Sequence, residues 1–180
     1  MIIDDNFLSK ENKDYIDQVI LGDNFPFYLQ LAFPGKYKKE HTVLSHCVLQ
    51  RKEERLPEEL WSKSAPTIWN SEHHPHFINI LNNFTKKHNI EYNEIFRCSV
   101  YLTFKNTQES CDIHNDHSFP HKQLIIYCND CDIDAVTTIL GDKTEIISPK
   151  KYRGVCFDSV PHFLTYPKQD YRIVIVYTFK

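Results

Sequence analysis

The chain has 180 residues, the size of one domain that buries about 70% of its unfolded surface. Apolar residues make up 41% and charged residues 25%, which excludes a disordered chain, a coiled coil and a collagen. With 21 Lys plus Arg against 24 Asp plus Glu, the net charge of −3 provides no basic surplus for coating a nucleic acid. The 13% of aromatic residues, with 4 Gly and 1 Met, favours a β-rich fold.

Residues 1–8 read as a short strand. Ser9 caps a helix over residues 10–21 that ends at Gly22, with Tyr15, Ile16 and Val19 on its apolar face. Phe25 to Phe33 alternates as a strand and closes at Pro34-Gly35. Residues 36–70 are charged and irregular, and a second helix spans roughly 74–88. In that helix Phe77, Leu81 and Phe84 fall on one face. From Glu94 onward the runs are short and β-type: Ile95–Lys105, Cys111–His117, Gln123–Cys128, Ala135–Leu140, Glu145–Ser148, Gly154–Phe157, His162–Tyr166 and Tyr171–Phe179. Eight evenly spaced strands suit a jelly roll. The expected architecture is mainly β with N-terminal helices: a single domain over 1–180, with helical and loop support in 1–93 and a double-stranded β-helix, cupin-like, in 94–180.

The N-terminus lacks a basic region followed by an apolar stretch, and no run of 18 apolar residues exists. With six cysteines and no secretory signal, the expected setting is a reducing cytoplasm with mostly free thiols.

His114-Asn115-Asp116 is an H-x-D triplet, and alternate residues of a strand point to one side. Ten histidines make such a triplet easy to find by chance, so its context decides. His162 follows Val160-Pro161, 46 residues after Asp116, and opens an apolar run. Two His and one carboxylate form the facial triad of non-haem iron sites, which leaves three positions open for a bidentate cosubstrate and dioxygen. Arg172 stands ten residues after His162, at the start of Arg172-Ile-Val-Ile-Val-Tyr-Thr-Phe179. A guanidinium buried there needs a partner, and its planar fork suits a carboxylate.

This order of H-x-D, distal His and following Arg resembles the Fe(II)/2-oxoglutarate-dependent oxygenase superfamily. The likeness is to its prolyl-4-hydroxylase-like branch, in the small single-domain form found in phages, and it covers about residues 94–179. The opening Asp5-Asn6-Phe7-Leu8-Ser9 has the same character. The resemblance implies that His114, Asp116 and His162 bind Fe(II) and that Arg172 holds the distal carboxylate of 2-oxoglutarate. The run Leu124-Ile-Ile-Tyr-Cys-Asn129 resembles the strand after H-x-D, and Tyr127 would hydrogen-bond the same carboxylate. The implied reaction hydroxylates a substrate with dioxygen and releases succinate and CO2. A peptide or small molecule is the favoured substrate, with no membrane and no nucleic acid indicated as partner. Three features differ from the family pattern. Val174 stands where a Ser or Thr is usual, Asp132-Ile-Asp-Ala-Val-Thr137 replaces a Gly-rich turn, and no residue cleanly matches the upstream pocket tyrosine, since Tyr101 and Phe104 face opposite ways on a regular strand.

The alternative is a cupin-like barrel that binds metal without 2-oxoglutarate; it would have no need of Arg172. Cys128-Asn-Asp-Cys131 lacks the second pair of a zinc site and is expected in a turn. His73-His74-Pro75-His76 reads as a helix start, with Pro75 in the first turn. His117 and His121 flank the H-x-D strand as loop histidines that could reach substrate. Lys36, Lys38, Lys39 and His41 read as a solvated loop. Residues 36–70 and the turn His117–Lys122 are long enough to roof the open end of the barrel as a lid.

Overall fold

The computed structural model describes residues 1–30, 43–60 and 67–180. Ten strands occur there: β1 Ile2–Asp4, β2 Tyr28–Gln30, β3 Val43–Leu49, β4 Ile95–Thr103, β5 Lys122–Tyr127, β6 Thr137–Leu140, β7 Thr144–Ile147, β8 Gly154–Asp158, β9 His162–Leu164 and β10 Arg172–Phe179. The helices are α1 Lys10–Tyr15, the short α2 Lys52–Arg55 and α3 His74–Lys87. A seven-stranded antiparallel sheet runs β1-β8-β5-β10-β4-β3-β2, and a three-stranded sheet runs β7-β6-β9. Together they form the expected jelly roll, and its large sheet also takes in β1, β2 and β3 from before residue 94.

Both faces of β4, β5 and β10 in the large sheet are buried, and strand alternation sorts residues between them. On β4, β5 and β10, Cys98, Val100, Leu124, Ile126, Ile173 and Ile175 join one apolar core with the helices. Ile125, Tyr127, Val174 and Val176 face the opposite way, into the interior of the roll. On the helix side α3 buries Phe77, Ile80, Leu81 and Phe84, the face that the sequence spacing marks out. Each such side chain contributes about 1.5–3 kcal/mol relative to exposure. Tyr177 ties the layers by donating to the Phe77 carbonyl at 2.9 Å. Gly154 allows the close approach: a Cβ there would stand 2.7 Å from the Phe7 ring and 3.1 Å from Phe84.

Ser9 caps α1 and accepts from the Asn12 N–H at 3.2 Å. The expected single helix over 10–21 then widens into a π-turn over Ile16–Ile20, closed by the Leu21 N–H on the Ile16 carbonyl at 2.9 Å. The wider turn keeps Ile16 and Ile20 both buried.

Residues 36–70 are not irregular throughout. Val43–Leu49 is a strand of the large sheet, paired with β2 and β4, and α2 follows it directly. Val43–Leu49 is barrel wall rather than a detached lid, because Val48 and Leu49 are fully buried. Residues 31–42 and 61–66, with the Lys36, Lys38, Lys39 and His41 run, lie outside the described residues. The strand expected over Cys111–His117 is reduced to two isolated bridges, Ser110 with Thr165 and His114 with His162. The polar run after His114 finds side-chain partners instead of a neighbouring strand.

Candidate active site

A cavity of about 210 Å³ opens inside the roll, lined by inward residues of β3, β4, β5 and β10 and by the His114–Asp116 and His162–Leu164 segments. His114, Asp116, His162 and Arg172 all reach it. His114 and His162 form a reciprocal backbone bridge, each N–H donating to the other's carbonyl at 3.0 Å. Their rings consequently stand side by side, with centroids 4.6 Å apart. His114 Nδ1 donates to the Asp112 carbonyl at 2.8 Å, and His162 Nδ1 donates to that of Val160 at 3.1 Å. Fixing both protons on Nδ1 leaves each Nε2 unprotonated, the tautomer a metal ligand requires. Burial pushes the His162 imidazole down to about 4, against the pull of Asp116, so the ring is neutral near pH 7.

Asp116 is buried, and its Oδ2 lies 3.9 Å from His162 Nε2. Two arginines hold its other oxygen. Arg51 Nη2 donates to Oδ1 at 2.7 Å and its Nη1 to the Asp116 carbonyl, while Arg97 Nη1 donates to the same Oδ1. Burial would raise the Asp116 carboxyl, but Arg97 and Arg51, with smaller help from His162 and His114, hold it well below the usual carboxylate range. Arg97 is itself buried, donates to the Tyr101 hydroxyl and lies 4.8 Å from the centre of the Tyr101 ring. Neither arginine stands out by spacing to a motif. A signal for Arg97 did exist: Arg97, Ser99, Tyr101 and Thr103 alternate with Phe96, Cys98, Val100 and Leu102, so one face of β4 is polar although both faces are buried. Tyr101 on that face lines the cavity, whereas Phe104 is 47% exposed.

Arg172 is 2% exposed. Its Nη1 donates to the Ala135 carbonyl at 3.2 Å, its Nε has no partner among the described residues, and no carboxylate there pairs with it. A buried guanidinium without an anion is costly, so this end of the cavity is prepared for one. Tyr127 is fully buried and donates to Thr137 Oγ1 at 2.7 Å. Thr137, rather than Tyr127, lines the cavity.

The remaining motifs stand apart from this site. His117 is not a free loop histidine: its Nδ1 donates to Glu53 at 2.5 Å, its Nε2 meets the Thr178 hydroxyl at 2.7 Å, and Phe119 stacks on it. His121 is buried beside it. α3 begins at His74 with Pro75 in its first turn, as the sequence indicates. Cys128 is buried and Cys131 half-buried, and all six thiols are free.

Among the described residues no three His, Cys, Asp or Glu side chains close tightly enough to enclose an ion. Adjacent ligands of an octahedral ion with bonds near 2.1 Å stand about 3 Å apart, so the 3.9 Å between Asp116 and His162 leaves about 1 Å to close. The donor chemistry nonetheless fits a divalent transition metal: two imidazoles with unprotonated Nε2 and a carboxylate whose second oxygen is uncommitted to arginine.

No family model matches the chain, and no curated protein matches it. Solved structures do resemble it. A 2OG-Fe(II) oxygenase family oxidoreductase from Burkholderia pseudomallei superposes with a TM-score of 0.68 at 13% identity, covering 97% of this chain and 81% of that one. A prolyl hydroxylase from Trichoplax adhaerens, in complex with a hypoxia inducible factor peptide fragment, gives 0.63 at 14% identity, with 99% and 82% covered. The viral collagen prolyl hydroxylase of Paramecium Bursaria Chlorella virus-1 gives 0.57 at 16% identity, with 99% and 94% covered. At these identities the likeness is one of fold, the double-stranded β-helix.

Proposed function

We propose that the chain is an Fe(II)- and 2-oxoglutarate-dependent dioxygenase that hydroxylates an organic substrate and releases succinate and CO2. One observation carries this reading. A single cavity holds two backbone-bridged histidines and a clamped carboxylate, together with a buried guanidinium that pairs with no carboxylate among the described residues. His114, Asp116 and His162 would hold the metal, and iron so held would supply the redox chemistry of dioxygen activation.

The chain's own groups then divide the work. Arg172 binds and orients the distal carboxylate of 2-oxoglutarate by charge-assisted hydrogen bonds, and Thr137, backed by the Tyr127 hydroxyl, adds a polar contact in the same cavity. Arg97 and Arg51 occupy Asp116 Oδ1, which directs Oδ2 toward the metal. Ile125, Val174 and Val176 form apolar wall that excludes water. Arg172 weighs against a cupin-like barrel that only holds a metal, since such a barrel gains nothing from a buried guanidinium that meets no carboxylate among the described residues. A peptide is a fitting substrate class, as the Trichoplax neighbour carries one; a small molecule is the other.

The test is succinate formation by protein reconstituted with Fe(II) without oxygen, then given 2-oxoglutarate and air. Asp116→Asn keeps an acceptor for Arg97 but loses the anionic ligand. It should bind iron orders of magnitude more weakly and form no succinate. Wild-type iron affinity and turnover in that variant would refute the reading.

A further inference from the structure

Gln123 sits at the inner face of β5, is 2% exposed and lines the cavity. Its Nε2 stands 3.1 Å from His162 Nε2. Because the His162 Nδ1 proton is committed to the Val160 carbonyl, Nε2 is a bare acceptor and the Gln123 amide donates to it. Gln123 Oε1 has no partner among the described residues. The only hydrogen bond described for this buried amide therefore ends on the lone pair that a metal would use. One lone pair cannot serve both, so metal binding must break the bond. The released N–H groups then lose the only partner described for them, and the inner-face neighbours Ile125 and Val176 offer no acceptor. A buried donor without an acceptor is unfavourable, so the vacated amide favours a ligand that brings an oxygen beside the metal.

We propose that Gln123 is a positioning residue that caps His162 until metal displaces it, and that its freed amide then donates to an oxygen of the 2-oxo acid bound beside that metal. The proposal rests on the dioxygenase reading and deepens it. It gives two affinities opposite signs: losing the amide removes a competitor of the metal and a donor to the cosubstrate.

The experiment titrates wild type, Gln123→Met and Gln123→Leu with Co(II) in the absence of oxygen, followed by absorption, and then titrates the Co(II)-loaded proteins with 2-oxoglutarate. Each variant should bind Co(II) about two- to tenfold more tightly and 2-oxoglutarate weaker by a similar factor. A merely structural role would weaken both or neither. The leucine variant repeats the test with a different shape should methionine disturb the fold. Unchanged or weaker Co(II) binding in both variants, or unchanged 2-oxoglutarate binding, overturns the role of Gln123. Failure of the wild type to bind Co(II) overturns the metal-site reading itself.

Discussion

Replacing Arg97 by methionine tests the two-arginine clamp directly. The substitution keeps an unbranched side chain of similar length but removes the guanidinium from Asp116 Oδ1 and from the Tyr101 hydroxyl. Breaking a buried ion pair on one side costs about 3–5 kcal/mol, because the remaining charge is left uncompensated. Arg51 stays on the same oxygen at 2.7 Å, so the lower end applies, about 3 kcal/mol. For a chain of this size that lowers Tm by about 6–12 °C. A divalent metal beside Asp116 replaces the missing positive charge, so metal should raise Tm more in Arg97→Met than in wild type. The assay is thermal unfolding followed by circular dichroism, with and without Co(II), in a double-mutant cycle with Asp116→Asn. In the asparagine background the loss from Arg97→Met should shrink below about 1 kcal/mol. A Tm within about 2 °C of wild type, or a loss of equal size in both backgrounds, would show that the clamp does not carry the charge balance of the site.

Three further outcomes are expected. Arg172→Ala should raise the 2-oxoglutarate requirement at least about tenfold with metal content unchanged, since a charge-assisted bond contributes about 1.5–3 kcal/mol, and Arg172→Lys should recover only part of it; identical titrations for all three proteins would remove the case for a keto-acid site. Cys128→Ser with Cys131→Ser should leave metal content and 2-oxoglutarate turnover intact, and stoichiometric zinc lost only in the double variant would disprove this. His162 is pushed down to about 4, so the unfolded chain binds its proton first as pH falls. Stability of the metal-free protein should therefore decline by about 3 kcal/mol between pH 6.5 and 4, and denaturant unfolding of His162→Gln should show a flatter pH profile there.

Much of the fold was legible because it rests on local periodicity. Phe77, Leu81 and Phe84 mark the buried face of α3, and β5 and β10 appear as apolar runs within a residue of their observed limits. The candidate metal residues were legible because two of them share a triplet, and Arg172 because a charge begins an otherwise apolar strand. β3 was missed because charged neighbours on both sides hide Val43–Leu49, whose pairing with β4 is a long-range contact. Arg51 was missed for the same reason: its partner Asp116 lies 65 positions away. The Cys111–His117 strand was overread because alternation alone does not supply a neighbour to pair with; the His114–His162 bridge suffices to aim the two rings.

The two-sided burial of β4, β5 and β10 turns one face to the helix core and the other to the cavity. Leu124, Ile175 and Val100 anchor the helices, while Gln123, Val174 and Ser99, one position away on the same strands, shape the cavity. Inner-face exchanges can thus explore new substrates while the helix-side scaffold stays as it is. A library confined to Ser99, Gln123 and Val174 should yield more folded members than one confined to Val100, Leu124 and Ile175. Selection could then diversify the chemistry of such a barrel one face at a time.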